Sequence, residues 1–304
     1  ALHQVVDARN DHQAARAGVA YLKSIGSDAV KVWYIVRPDV PLEKTAPAVL
    51  AAGDEARKAG LPLIVHATGL AEAKVAVRAG AKLLVHGVID QPVDEEFIRL
   101  MRAAGTIYCP TLTVFSGYVR LAEAIRDRRE PATDDPNRCV DAGTQSKLRE
   151  TARIPPPEGL SDRIPERRKR VEGAAKNGNA NLKRLSDAGI PIAMGTDAGN
   201  PLTLHGPSVY AEMEAMQKAG MTPMQVLVSS TRGGSTAMGR SKDFGTIEKG
   251  KVADLLVVAG DPTKDVANLR KVRYVVRGGV VRSIEELAEG KLRYTVKEKQ
   301  KSLA

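Results

Sequence analysis

The chain has 304 residues, 43% of them hydrophobic, and a formal charge of +10, which suffices for one large domain and a small one around a packed core. Its two cysteines, Cys109 and Cys139, form no CxxC pair and exclude a disulfide framework; no apolar run reaches the ~18 residues of a membrane span. The positive excess collects from Arg270 onward, where ten Lys/Arg face four Glu and the only aromatics are Tyr274 and Tyr294, so a solvated basic tail is expected and not a base-stacking nucleic-acid platform.

Short apolar runs alternate with helical patterns from the start. AVKVWYIV reads as a strand, Ala46–Ala59 as a helix, and LPLIVH as the next strand. A helix follows over Leu70–Arg78, with Gly80 supplying the C-cap, and then the strand KLLVH. A helix near Asp94–Ala103 leads into the strand TIYCPTLTV. These runs are continuous and do not alternate, as in a parallel sheet covered on both faces. From about Phe115 to Asn179 the chain is too long and charged for an ordinary loop. Its helical fragments GYVRLAEAIRDRR and TQSKLRETAR mark an insertion at the rim of the fold. A helix over Ala180–Ala188, the run GIPIAMGTDAG and a helix near Pro207–Ala219 complete five βα-type units. The expected class is α/β, with the units forming a (β/α) barrel. No Gly-rich phosphate loop supports a doubly wound sheet. Beyond Gly239, GTIEKGKVADLLVV and VRYVVRGGVVRS read as β-hairpin material. The expected domains are therefore residues 1–239, with the helical insertion at about 115–179, and residues 240–304.

Polar residues at the strand ends suggest chemistry. Strand ends of a barrel converge on one mouth, and two of the five histidines, His66 and His86, end consecutive strand runs. With Lys31 on the run before and Asp197 at the end of IPIAMGTD, they make a candidate metal site. Zn²⁺ suits such nitrogen and oxygen ligands, as do Mn²⁺, Fe²⁺, Co²⁺ and Ni²⁺. Lys31, between Val30 and Val32, is expected to be buried. Burial disfavours the ammonium, and the neutral amine can add CO₂ to give a carbamate able to bridge two metals. A structural Lys would instead pair with an acid or snorkel outward. Asp197 can bind metal and move a proton, or serve as a helix cap before Gly199.

The order Lys31, His66, His86 and GTDAG (195–199), with GTIEKGKVADLLVV (245–258) behind it, resembles the amidohydrolase superfamily, in particular the prolidase-like branch of Xaa-Pro dipeptidases and imidazolonepropionase-related proteins. That resemblance implies a distorted TIM-like (β/α) barrel, a small C-terminal β-sandwich portion, and one or two divalent metal ions, Zn foremost, at the barrel mouth. By similarity, Lys31 is the carbamylated bridging ligand, His66 and His86 hold the more exposed metal, and Asp197 binds the buried metal and shuttles protons. His205, in GNPLTLHG, matches a histidine that lies near the substrate, and as a residue it reads equally as a surface loop histidine. The family also carries His-x-His on its first strand, and no such pair occurs here; the upstream histidines are His3 and His12. The expectation is a sequence lacking the N-terminal part with that strand, or a form completed by another chain as a homo-oligomer.

The expected activity is metal-dependent hydrolysis of an amide bond in a dipeptide, most simply Xaa-Pro, or in an acylated amino acid. Metal-bound hydroxide would be the nucleophile and Asp197 the proton carrier. A lactone or phosphate ester is the alternative electrophile. A non-catalytic barrel remnant acting through protein contacts, or a chain inactive by itself, would explain the absent His-x-His. Lys31 argues against the mononuclear deaminase type. The expected partner is a small-molecule substrate, with neither nucleic acid nor membrane involved. With no charged start leading into an apolar core, a cytoplasmic location is expected.

Overall fold

Helices alternate with short parallel strands through the first hundred residues of a computed structural model that describes residues 11–36 and 39–288. In chain order these are α1 (His12–Ser24), β1 (Val30–Trp33), α2 (Leu42–Lys58), β2 (Leu63–His66), α3 (Leu70–Arg78), β3 (Ala81–Val85), α4 (Glu95–Ala104) and β4 (Ile107–Cys109). Next come α5 (Val114–Arg126), α6 (Ala142–Glu150), α7 (Leu160–Asp187), α8 (Ser208–Lys218) and α9 (Pro223–Val228), and then three strands, β5 (Leu255–Val258), β6 (Val272–Arg277) and β7 (Val280–Ser283). The chain divides into two compact units, one drawn from residues 1–111 and 173–193, the other from 112–172 and 194–304.

The first unit is a parallel sheet in the order β1-β2-β3-β4 with helices between the strands. The helices begin and end where local chemistry directs. Asp11 caps α1 by accepting from Gln13 N and Ala14 N, Asp94 caps α4 by accepting from Phe97 N, and Gly105 closes α4 in the left-handed region at φ 62°. Between strands the apolar runs fill the core, where Leu84, Val65, Phe97, Met101, Leu182 and Leu185 are fully buried. Close packing dictates one glycine. A Cβ on Gly53 of α2 would stand 2.0 Å from the carbonyl oxygen of Ala79, so α2 approaches the end of α3 only because that atom is missing.

The run after α7 differs from its expectation. Ile190–Met194 forms no named strand; Ile192 makes a single parallel bridge to Tyr108, with Tyr108 N donating to Pro191 O and Ala193 N to Tyr108 O. The helix expected at Ala180–Ala188 is the last part of the 28-residue α7. Pro165 and two glycines, Gly173 and Gly178, all residues that disfavour helix interiors, lie within it.

In the second unit, α5, α6 and the first part of α7 form the charged helical stretch, with Ala122, Leu160 and Ile164 packed together. The C-terminal strands make a small antiparallel sheet in the order β5-β6-β7, β6 and β7 joined through Gly278–Gly279. The basic tail beyond residue 288, like His3, lies outside the described residues. Among the described residues no helix is long and apolar enough to cross a membrane.

Candidate functional site

Parallel pairing brings three of the expected residues to one part of the first unit. Trp33 of β1 stands opposite His66 of β2, two positions beyond the Lys31–Ile64 pair, and His66 stands opposite Val85, the residue before His86. The imidazoles of His66 and His86 lie edge to face with centroids 4.5 Å apart, and the Trp33 indole approaches His66 at 5.9 Å in the same manner. Burial pushes the His66 pKa down to about 3, assisted by the positive charges of His86 and Lys31. Near neutral pH the His66 ring is therefore uncharged and keeps a lone pair for an electrophile.

Lys31 corrects one expectation. It is exposed, not buried between its valines. Among the described residues β1 is the outermost of the four strands and pairs only with β2. Trp33, on the same strand, is 70% exposed and Ile35, just past its end, 57%, so this part of the sheet is not covered on both faces. Burial thus gives no argument for a neutral Lys31 amine.

Asp197 and His205 belong to the second unit, on one loop. Asp197 is exposed and adopts φ 55°, and its carbonyl accepts from the Asn200 side chain at 2.9 Å. His205 Nε2 lies 3.8 Å from where a Cβ on Gly199 would stand. Helix α5 grips this loop: the Tyr118 hydroxyl donates to Asn200 Oδ1, Arg120 donates to Leu202 O at 3.3 Å, and Gly117 packs against Pro201. A Cβ at Gly117 would stand 2.0 Å from the Pro201 carbonyl oxygen. Gly117→Ala is therefore expected to cost about 1–3 kcal/mol and to open the 197–206 loop to protease, measured by thermal unfolding and limited proteolysis. An unaltered cleavage pattern and melting temperature would contradict this.

The residues that fasten the His86 segment carry no sequence signal. Asn181 of α7, 1% exposed, accepts from Val93 N and donates to the carbonyls of Val88 and Gln91. The buried Tyr108 hydroxyl accepts from Val88 N at 2.7 Å, and Arg184 donates to Val93 O. His86 Nδ1 and Thr111 Oγ1 are hydrogen-bonded at 2.7 Å. Glu212 of α8, fully buried, accepts from Leu112 N, Thr113 N and Thr113 Oγ1. Only Glu212 left a trace, as a charge beside Met213 and Met216 on the buried side of α8. Among the described residues, no group of three or more His, Cys, Asp or Glu has metal-holding geometry. His66 and His86, with Lys31, are the first unit's candidate donors, and neutral imidazole nitrogens are of a type that suits a divalent cation.

The model of the amidohydrolase family matches residues 5–282 of the chain. An imidazolonepropionase of Shouchella clausii is 38% identical over 96 residues, which is 31% of this chain and 20% of that protein. In structure the chain is similar to a Xaa-Pro dipeptidase with methionine bound in its active site (TM-score 0.64, 24% identity, 90% of this chain and 58% of the other). It is also similar to a prolidase complexed with N-methylphosphonate-L-proline (TM-score 0.63, 21% identity, 93% and 60%). At these identities the structural likeness establishes the fold. The match spans about three fifths of those solved chains and a fifth of that curated relative.

Proposed function

This chain belongs to the amidohydrolase family, and on that premise we propose that it hydrolyses a carbon–nitrogen amide bond, in an Xaa-Pro dipeptide or an acylated amino acid. The observation that carries the reading is the contact of His66 with His86, with burial holding His66 uncharged near neutral pH. These two imidazoles would hold a divalent cation, Zn²⁺ foremost, with Lys31 joining them as a carbamate after its amine adds CO₂ and loses a proton. The cation would supply Lewis acidity to the substrate carbonyl. Asp197 takes the proton of the attacking water and returns it to the departing nitrogen. His205, on the same loop, contacts the substrate. The parallel strands β1 to β4 supply part of a (β/α) barrel, and β5 to β7 part of the small sandwich. The local identity with imidazolonepropionases favours a cyclic amide as the second reading.

The test is metal content and hydrolysis together. His66→Ala and His86→Ala should each weaken Zn²⁺ binding by more than the roughly 10–100-fold typical of outer-shell losses, with far-UV circular dichroism nearly unchanged. Bicarbonate should improve metal uptake, and Lys31→Ala should abolish that response. A panel of Xaa-Pro dipeptides, N-acyl amino acids and cyclic amides, offered to the metal-loaded protein, identifies the substrate class. Unchanged metal binding in both histidine variants would remove the proposed site.

A further inference from the structure

Thr111 combines three unusual properties. It is 4% exposed, its φ is 45°, and its hydroxyl is hydrogen-bonded to His86 Nδ1 at 2.7 Å. A β-branched residue rarely occupies the left-handed region, because its side chain crowds the backbone there. Such a conformation persists only where the surroundings over-determine it. Here the next two residues of the chain are fastened within the second unit. Leu112 N donates to one oxygen of Glu212 at 2.7 Å, and Thr113 N and Oγ1 donate to the other at 3.0 and 2.8 Å. Thr113 opens α5 without any cap from its own side chain, so the buried carboxylate serves the amides at that helix start. On the other side, Gly87 N donates to Pro110 O at 2.9 Å, so the residues after His86 and before Thr111 are joined as well.

We propose that Thr111 is a positioning residue for His86: its hydroxyl oxygen accepts from Nδ1–H, which holds the plane of the imidazole and makes Nε2 the nitrogen that carries the lone pair. A ligating histidine typically has its second nitrogen held by such an outer partner. The proposal rests on the reading of His86 as a metal ligand for its metal-binding consequence alone; the ring's orientation is a property of the metal-free chain.

Both parts can be measured on the full chain. In ¹⁵N-labelled metal-free protein, with His86 assigned through His86→Ala, the wild type should show one tautomer in long-range ¹H–¹⁵N spectra. Thr111→Val should give averaged ring-nitrogen shifts, and Thr111→Ser should restore the wild-type pattern. Zn²⁺ affinity, from competition with a chromophoric chelator, should fall about 10–100-fold in Thr111→Val and stay within a few-fold in Thr111→Ser. Thr111→Gly separates positioning from stability: it relieves the left-handed strain and so should not lower the melting temperature, yet it should match Thr111→Val in both readouts. If the wild type takes up no Zn²⁺, the metal reading of His86 fails while the spectra still decide the positioning. Wild-type ring shifts in both Thr111→Val and Thr111→Gly would overturn the proposal.

Discussion

Asn181→Ala is expected to destabilise the protein by about 3–5 kcal/mol, since each buried polar group left unpaired costs about 1–3 kcal/mol. The side chain accepts from Val93 N and donates to Val88 O and Gln91 O, and the residue is 1% exposed. Truncation strands all three partners in a segment that begins at His86, so the loss also reaches the candidate site. Asn181→Asp should cost a similar amount for a different reason. It keeps an acceptor for Val93 N but sets a carboxylate oxygen against two carbonyls. Urea unfolding measures both. A loss below about 1 kcal/mol in Asn181→Ala would mean that Tyr108 and Arg184 suffice to hold the segment.

Glu212 should give the protein a pH dependence opposite to that of an ordinary paired carboxylate. Burial raises its pKa to about 6 from the ordinary 4.5 of a glutamate, outweighing the opposing pull of its Leu112 and Thr113 donors. Between those values the folded carboxyl keeps its proton while the unfolded one has lost it. The native state then binds more protons, and stability falls as pH rises. The contribution is fully present below pH 4.5 and lost above about 6, a change of about 2 kcal/mol. Asp94, held low mainly by its hydrogen bond with Lys74, acts with the other sign, so the effect must be read as a difference. Glu212→Gln should remove the Glu212 component. It should also lower stability by about 2–3 kcal/mol, because an amide NH₂ then faces backbone N–H donors. Parallel stability–pH curves for the wild type and Glu212→Gln would refute the assignment.

Local sequence determined much of the first unit. LPLIVH and KLLVH are short apolar runs ended by histidines, and they became β2 and β3 with His66 and His86 at their ends. The helix between them runs over Leu70–Arg78, as its spacing and the following Ala-Gly turn dictate. The approach of His66 to His86 follows from strand order, because neighbouring parallel strands end on one side. Tertiary structure decided the rest. Lys31 is exposed on a strand that, among the described residues, pairs only with β2, which no pattern within AVKVWYIV encodes. Ile190–Met194 reads as a strand by composition but makes one bridge, since pairing depends on the neighbour and not on the run itself. The partners of His86, Val93 and Leu112 are Thr111, Asn181 and Glu212, at separations of 25, 88 and 100 residues. Helical and strand periodicities reach only a few residues along the chain, so groups that far apart are matched by packing and by the cost of leaving a buried donor or acceptor unpaired.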